Sequence, residues 1–269
     1  MAGTQILPQI VSNLAESAMA RSLPTTRGSA PAQPPSLAAE AGPVAGLPFR
    51  NALRTYFEVL LAWFGAQQWW PGRTRFEVIV GAILTQNTSW TNVEQAIRNL
   101  RKAGLLSPAA ILEAPRARIE TAIRPSGYFR QKTKTLKGFV HLLFEFYGGS
   151  LSRFFAVPTS DLRQQLLALR GIGPETADSI LLYAGQRPLF VADAYARRML
   201  ERHSLCHPKS GYEEIRIAAE RDFPADPGML NEFHALIVQT GKHFCRAKKP
   251  RCSECPLGRF LPQSTLTAP

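Results

Sequence analysis

Three cysteines stand within eleven residues near the C-terminal end, in the pattern Cys245-x6-Cys252-x2-Cys255, and Cys206 lies well upstream. Thiolates at such spacing are soft ligands for zinc or for an iron–sulfur cluster. Lys248, Lys249 and Arg251 are interleaved with them, so a metal-pinned loop would present cations to phosphate. A second chemistry-bearing stretch is LRGIGPETA, residues 169–177. Gly171 and Gly173 permit a tight turn with positive φ, and Pro174 sits where a helix's first turn tolerates proline. The backbone N–H groups there, Thr176 beside them and the dipole of the following helix suit a phosphate oxygen. Asp193, in FVADAYARR, follows an apolar link and heads a helical stretch. Taken alone it reads as an N-cap, and a capping carboxylate that faces a cleft can also catalyse. Trp69 and Trp70 precede the polar turn that holds Gln86, and Trp90 follows it. These indoles could stack a base, with core packing the competing reading for each one alone.

The elements that must position these groups come from a chain of 269 residues, 45% of them hydrophobic, which is enough for one large domain or two small ones. The net charge of +12 favours a polyanionic partner, nucleic acid first and an acidic membrane surface second. No run of eighteen apolar residues is present, so no membrane span is expected. Clustered cysteines without a secretory leader pattern point to a reducing, cytoplasmic setting. Residues 1–46 carry ten Ala, six Pro and no aromatic residue, and their two Arg balance two Glu. Such a segment cannot bury enough surface to offset its ordering entropy, so a disordered tail is expected.

From Phe49 onward the pattern is helical. Leu53, Phe57, Leu60, Leu61 and Phe64 recur at helical spacing, as do Phe76, Ile79, Val80, Ile83 and Leu84. Val93, Ile97 and Leu100 form a third stripe, and Leu136, Phe139, Leu142, Leu143 and Phe146 a fourth. Helices are also expected from Thr159 to Leu169, after Pro174, and over Asp193–His203, Tyr212–Arg221 and Pro227–Phe244. Pro188–Val191 is at most a short extended link. The expected class is all-α, with roughly ten helices joined by short loops.

Together the LRGIGPETA hairpin and the FVADAYARR segment resemble the endonuclease III, or HhH-GPD, superfamily of DNA glycosylases, over about Phe49 to Leu257. The resemblance implies a helix–hairpin–helix fold of two subdomains. Residues 47–71 and 191–260 would form one, 72–190 a six-helix barrel with the hairpin, and 261–269 a tail. It implies that Asp193 is the catalytic aspartate and that Gln86 fills the hole left by a flipped base. Double-stranded DNA with damaged bases would be the partner and a monomer the working form. Bifunctional members carry a lysine eighteen residues before the aspartate, and that position is Glu175 here. A carboxylate forms no Schiff base, so a monofunctional glycosylase is implied. The family's cluster pattern is Cys-x6-Cys-x2-Cys-x5-Cys, and its fourth position here is Leu261. A [4Fe–4S] cluster, zinc and no metal therefore all stay open, with Cys206 or His243 as substitute ligands. WWP, GAILTQNT, IRPSGYFRQK and GIGPETADSILLYA are further similar to the bacterial 3-methyladenine glycosylases of this superfamily. That implies an aromatic base pocket of Trp69, Trp70 and Trp90 and alkylated purines as substrate. Lys132, Lys134 and Lys137 read either as phosphate contacts or as a solvated helix face. Two alternatives are an endonuclease III-like glycosylase and lyase acting on oxidised pyrimidines, and a non-catalytic damage-binding module.

Overall fold

A computed structural model describes residues 49–262. The expected tail over 1–46 and most of the expected 261–269 tail lie outside the described residues. The described residues are all-α, with no strand among them. The described residues divide into two units, one of residues 49–69 and 192–262, the other of Trp70–Val191.

In the first unit α1 (Phe49–Phe64) supplies Leu53, Phe57 and Leu60, all buried. The second unit holds α2 (Arg75–Leu84), α3 (Trp90–Lys102), α4 (Pro108–Glu113), α5 (Arg116–Ile123), α6 (Phe129–Tyr147), α7 (Leu151–Phe154), α8 (Thr159–Ala168) and α9 (Pro174–Ser179). The chain then returns to the first unit with α10 (Ala194–Arg202), α11 (Tyr212–Asp222) and α12 (Pro227–His243), followed by two 3-10 turns at Cys252–Glu254 and Gly258–Phe260.

Local chemistry sets most helix starts. Thr74, Ser89, Ser107 and Asp226 each accept a hydrogen bond from the first turn of α2, α3, α4 and α12, and proline follows the cap in α4 and α12. In the second unit α2 is buried along almost its whole length, because it packs on α3, α6 and the segment after α9. Its one buried carboxylate, Glu77, is held by Arg101 at 2.6 Å. In the first unit Phe57, Phe223 and Phe233 form one aromatic cluster, which seats α1 against α11 and α12.

Two features depart from the periodicity. Residues 108–123 form two short helices split by Pro115, too short for an apolar stripe to register. The helix after Pro174 runs as α-helix only to Ser179 and continues as a π-helical turn over Ile180–Ala184.

Candidate active site

In the first unit Asp193 caps α10. Its Oδ1 accepts from the backbone N–H groups of Tyr195 at 2.9 Å and Ala196 at 2.8 Å. The cap reading is therefore satisfied by one carboxylate oxygen. The other, Oδ2, lies 3.5 Å from Nε2 of His234 on α12. The approach of α10 to α12 depends on Gly241, where a Cβ would come within 2.1 Å of the Tyr195 ring. Two residues from His234, the buried carboxylate of Glu232 accepts from the Gln67 backbone N–H, and so holds the loop that leads to Trp69. Burial raises the Glu232 pKa, while the N–H groups of Gln67 and Gln68 pull it back. Sequence reasoning missed both residues. The available signal was two ionisable residues in the otherwise apolar run of α12.

In the second unit the hairpin lies between α8 and α9, which are tied by a bidentate ion pair. Arg163 Nε and Nη2 donate to the fully buried Asp178 at 2.6 and 3.1 Å. Gly171 has φ +92°, and a Cβ there would meet Thr135 Oγ1 at 2.2 Å, so only glycine fits. Gly173 differs from expectation, because its φ of −94° is open to any residue. A Cβ there would meet nothing within 4 Å, and the residue is exposed. Gln86 Nε2 donates to the Gly171 carbonyl at 2.9 Å and to Thr176 Oγ1 at 2.8 Å. Thr176 is buried, so its hydroxyl is directed to Gln86. Glu175 is exposed in the first turn of α9.

Beside Gln86 the second unit holds a pocket of about 170 Å³, lined by Asn87, Tyr128, Gln131, Lys132, Thr135 and Gly171 as well. Asn87 and Tyr128 both take left-handed backbone, at φ +52° and +44°, and Tyr128 is 65% exposed. Lys132 corrects its expected role. It is neither a surface phosphate contact nor part of a solvated face, being 3% exposed. Its Nζ donates to the carbonyls of Leu84 at 2.8 Å and Ser126 at 2.6 Å, which tie the end of α2 to the turn before α6. Burial lowers its pKa to about 8. Lys137 Nζ also donates inward, to the Leu112 carbonyl, whereas Lys134 is exposed.

Trp69 closes the first unit's N-terminal segment and Trp70 opens the second. Trp70 packs edge-on against Trp90 and tilted against Tyr183 of the π-helical turn, with 5.0 Å between ring centroids in each pair. It rests over Gly81, where a Cβ would come within 2.7 Å of the indole. Trp90 Nε1 donates to Glu94. All three indoles are half-buried. Tyr183 is a member of this aromatic group that the linear pattern did not single out.

Residues 80–225 match the family model of the HhH-GPD superfamily base excision DNA repair proteins. The chain belongs to this family. It is 45% identical over 207 residues to a putative DNA repair glycosylase of Methanocaldococcus jannaschii, covering 76% of this chain and 93% of that one. Its structure is similar to that of an endonuclease III–DNA complex, with a TM-score of 0.68 at 21% identity, covering 80% and 96% of the two chains. It is also similar to a Helicobacter pylori 3-methyladenine DNA glycosylase bound to 1,N6-ethenoadenine, with a TM-score of 0.63 at 26% identity, covering 73% and 98%. As an HhH-GPD protein the chain is a DNA glycosylase of base excision repair, an enzyme that hydrolyses N-glycosyl bonds.

In this HhH-GPD chain Cys245, Cys252 and Cys255 line one small cavity of the first unit, together with Met199, Phe244 and Leu261. Leu261 is buried there rather than lying in a tail. It offers hydrocarbon at the position of the family's fourth ligand. Neither Cys206 nor His243 lines this cavity. His203 lines it too, with its Nδ1 2.8 Å from the Tyr56 hydroxyl, and burial lowers its pKa to about 4, which keeps the ring neutral. Among the described residues no three His, Cys, Asp or Glu are grouped to hold a metal ion. Arg202 Nη1 donates to Cys245 Sγ at 3.1 Å. Burial first, then the neighbouring Cys245 and Cys252, push the Cys255 thiol up to about 12. Lys248, Lys249 and Arg251 are exposed on the same loop, with Arg251 paired to Glu254.

Proposed function

We propose that this glycosylase is monofunctional and excises alkylated purines from double-stranded DNA. The observation that carries the reading is the Asp193 carboxylate, which is largely buried and fixed through one oxygen by two backbone donors. A carboxylate so held cannot swing away, so it is preorganised to stabilise positive charge developing on a sugar. N-alkylation makes the purine a cation and hence a good leaving group. In the reaction the C1′–N bond breaks and its electron pair neutralises the departing base. A water oxygen bonds to C1′, and the water's proton passes to the Asp193 carboxylate or to solvent.

Glu175 supports the monofunctional reading, since a carboxylate has no amine to attack C1′. The aromatic group of Trp70, Trp90 and Tyr183 supports a cationic base, because an electron-rich ring face attracts a cation by about 0.5–2 kcal/mol depending on desolvation. Gln86 would serve base flipping by leaving its hairpin partners for the DNA stack. The N–H groups at Gly171 and Gly173, with Lys248, Lys249 and Arg251, would bind phosphates. Cys245, Cys252 and Cys255 share one cavity without being grouped to hold a metal ion, so a sulfur-ligated iron or zinc site would need these three thiolates drawn together, with no fourth ligand from Leu261. Such a group would supply a structural anchor for the cationic loop, and no step of base release passes through it.

The test is a panel of lesion-bearing duplexes with wild type and Asp193→Asn. Loss of this preorganised charge should cut base release about 10²–10³-fold while DNA binding persists. The wild-type product strand should stay intact until alkali is added. Wild-type turnover in the Asn variant would return Asp193 to a plain cap, and covalent trapping by borohydride would remove the monofunctional assignment.

A further inference from the structure

Asp193 divides its two oxygens between two tasks. Oδ1 is committed to the helix cap, and Oδ2 is the oxygen that remains to meet a developing charge. His234 Nε2 stands 3.5 Å from that oxygen, and the two side chains are only 11% and 13% exposed. His234 sits on α12 within Phe233, Ala235, Leu236 and Ile237, all buried apolar residues. A polar ring in that setting needs a reason, and the carboxylate supplies one. The gap of 3.5 Å leaves no room for a water between the two groups, and a shift of a few tenths of an ångström makes a direct hydrogen bond.

We infer that His234 is a positioning residue for the reaction: its Nε2–H holds the Oδ2 side of Asp193. The cap fixes the carboxylate at one end and the imidazole fixes its plane at the other. This sets both the direction of the lone pairs on Oδ2 and the tautomer of His234, with the proton on Nε2. The inference rests on the reading of Asp193 as the catalytic carboxylate. It adds a second residue, 41 positions on in the chain, without which the first is held through one oxygen alone.

The experiment compares full-length wild type, His234→Leu, His234→Asn and Asp193→Asn in single-turnover release of 3-methyladenine, with affinity for an abasic-analogue duplex and melting temperature measured alongside. Leucine is close to histidine in size and lacks a donor. It should lower the release rate about 10- to 100-fold, the range for loss of a hydrogen bond to a charged group. DNA affinity should change little. Asparagine keeps an N–H donor and should recover most of the rate. Nitrogen-15 spectra of the imidazole should show Nε2 protonated in wild type, with its resonance displaced in Asp193→Asn; a purely structural histidine would not report on that substitution. Equal losses in the Leu and Asn variants, or a wild-type rate in Leu, would overturn the inference while the Asp193 reading stands. Full turnover in Asp193→Asn would overturn both.

Discussion

Replacing Lys132 by methionine tests the buried ammonium that ties the two turns beside Gln86. Methionine keeps much of the aliphatic stem, so little cavity is created. Two buried carbonyls, Leu84 at the end of α2 and Ser126 before α6, lose their donor. Each orphaned buried acceptor costs about 1–3 kcal/mol, so the pair costs about 2–6 kcal/mol. At about 2–4 °C per kcal/mol for a domain of this size, the melting temperature should fall by about 10 °C. The loss should also depend on pH. Burial holds the Lys132 ammonium near 8 in the folded state, against the ordinary 10.5 in the unfolded chain. Between those values the unfolded state binds more protons, so the stability of the wild type rises with pH relative to the methionine variant. Even as a neutral amine Lys132 has two N–H groups for its two acceptors. The difference in melting temperature, measured by calorimetry at pH 7.5, 9 and 10, should therefore widen upward. A fall of under 2 °C, or a gap that narrows with pH, would refute the argument.

Trp90→Ala should slow excision of 3-methyladenine by one to two decades, at about 1–3 kcal/mol per stacked base, and should slow that of a neutral lesion such as oxidised thymine less, because the neutral base lacks the cation–π attraction. Equal losses on both substrates with a matching drop in melting temperature would make Trp90 a packing residue for Trp70. Cys252→Ser should lower thermal stability and DNA affinity together, since the loop bearing Lys248, Lys249 and Arg251 would lose an anchor. Metal analysis of the purified wild type that finds neither iron nor zinc would remove that explanation.

What the linear pattern could reveal follows from the range of each interaction. The cap at Asp193, the tight turn at Gly171 and the long helical stripes depend on neighbours a few residues away, so spacing alone exposes them. Short α4 and α5 escaped because a six- or eight-residue helix shows too few turns for a stripe. The lysines show the limit more sharply. Lys132, Lys134 and Lys137 are close in sequence, yet only Lys134 is exposed. A charge run does not reveal which member turns inward, because the acceptors lie 48 residues away for one partner and six for the other. His234 is missed for the same reason. On α12 it is one ring among apolar side chains, and it gains a chemical meaning only where Gly241 lets α10 come close enough to set Asp193 beside it. The capping oxygen of Asp193 is thus a local property of the sequence, while the oxygen proposed to do the chemistry is placed by the packing of α10 on α12. Substitutions at that packing contact should disturb base release before they disturb the cap.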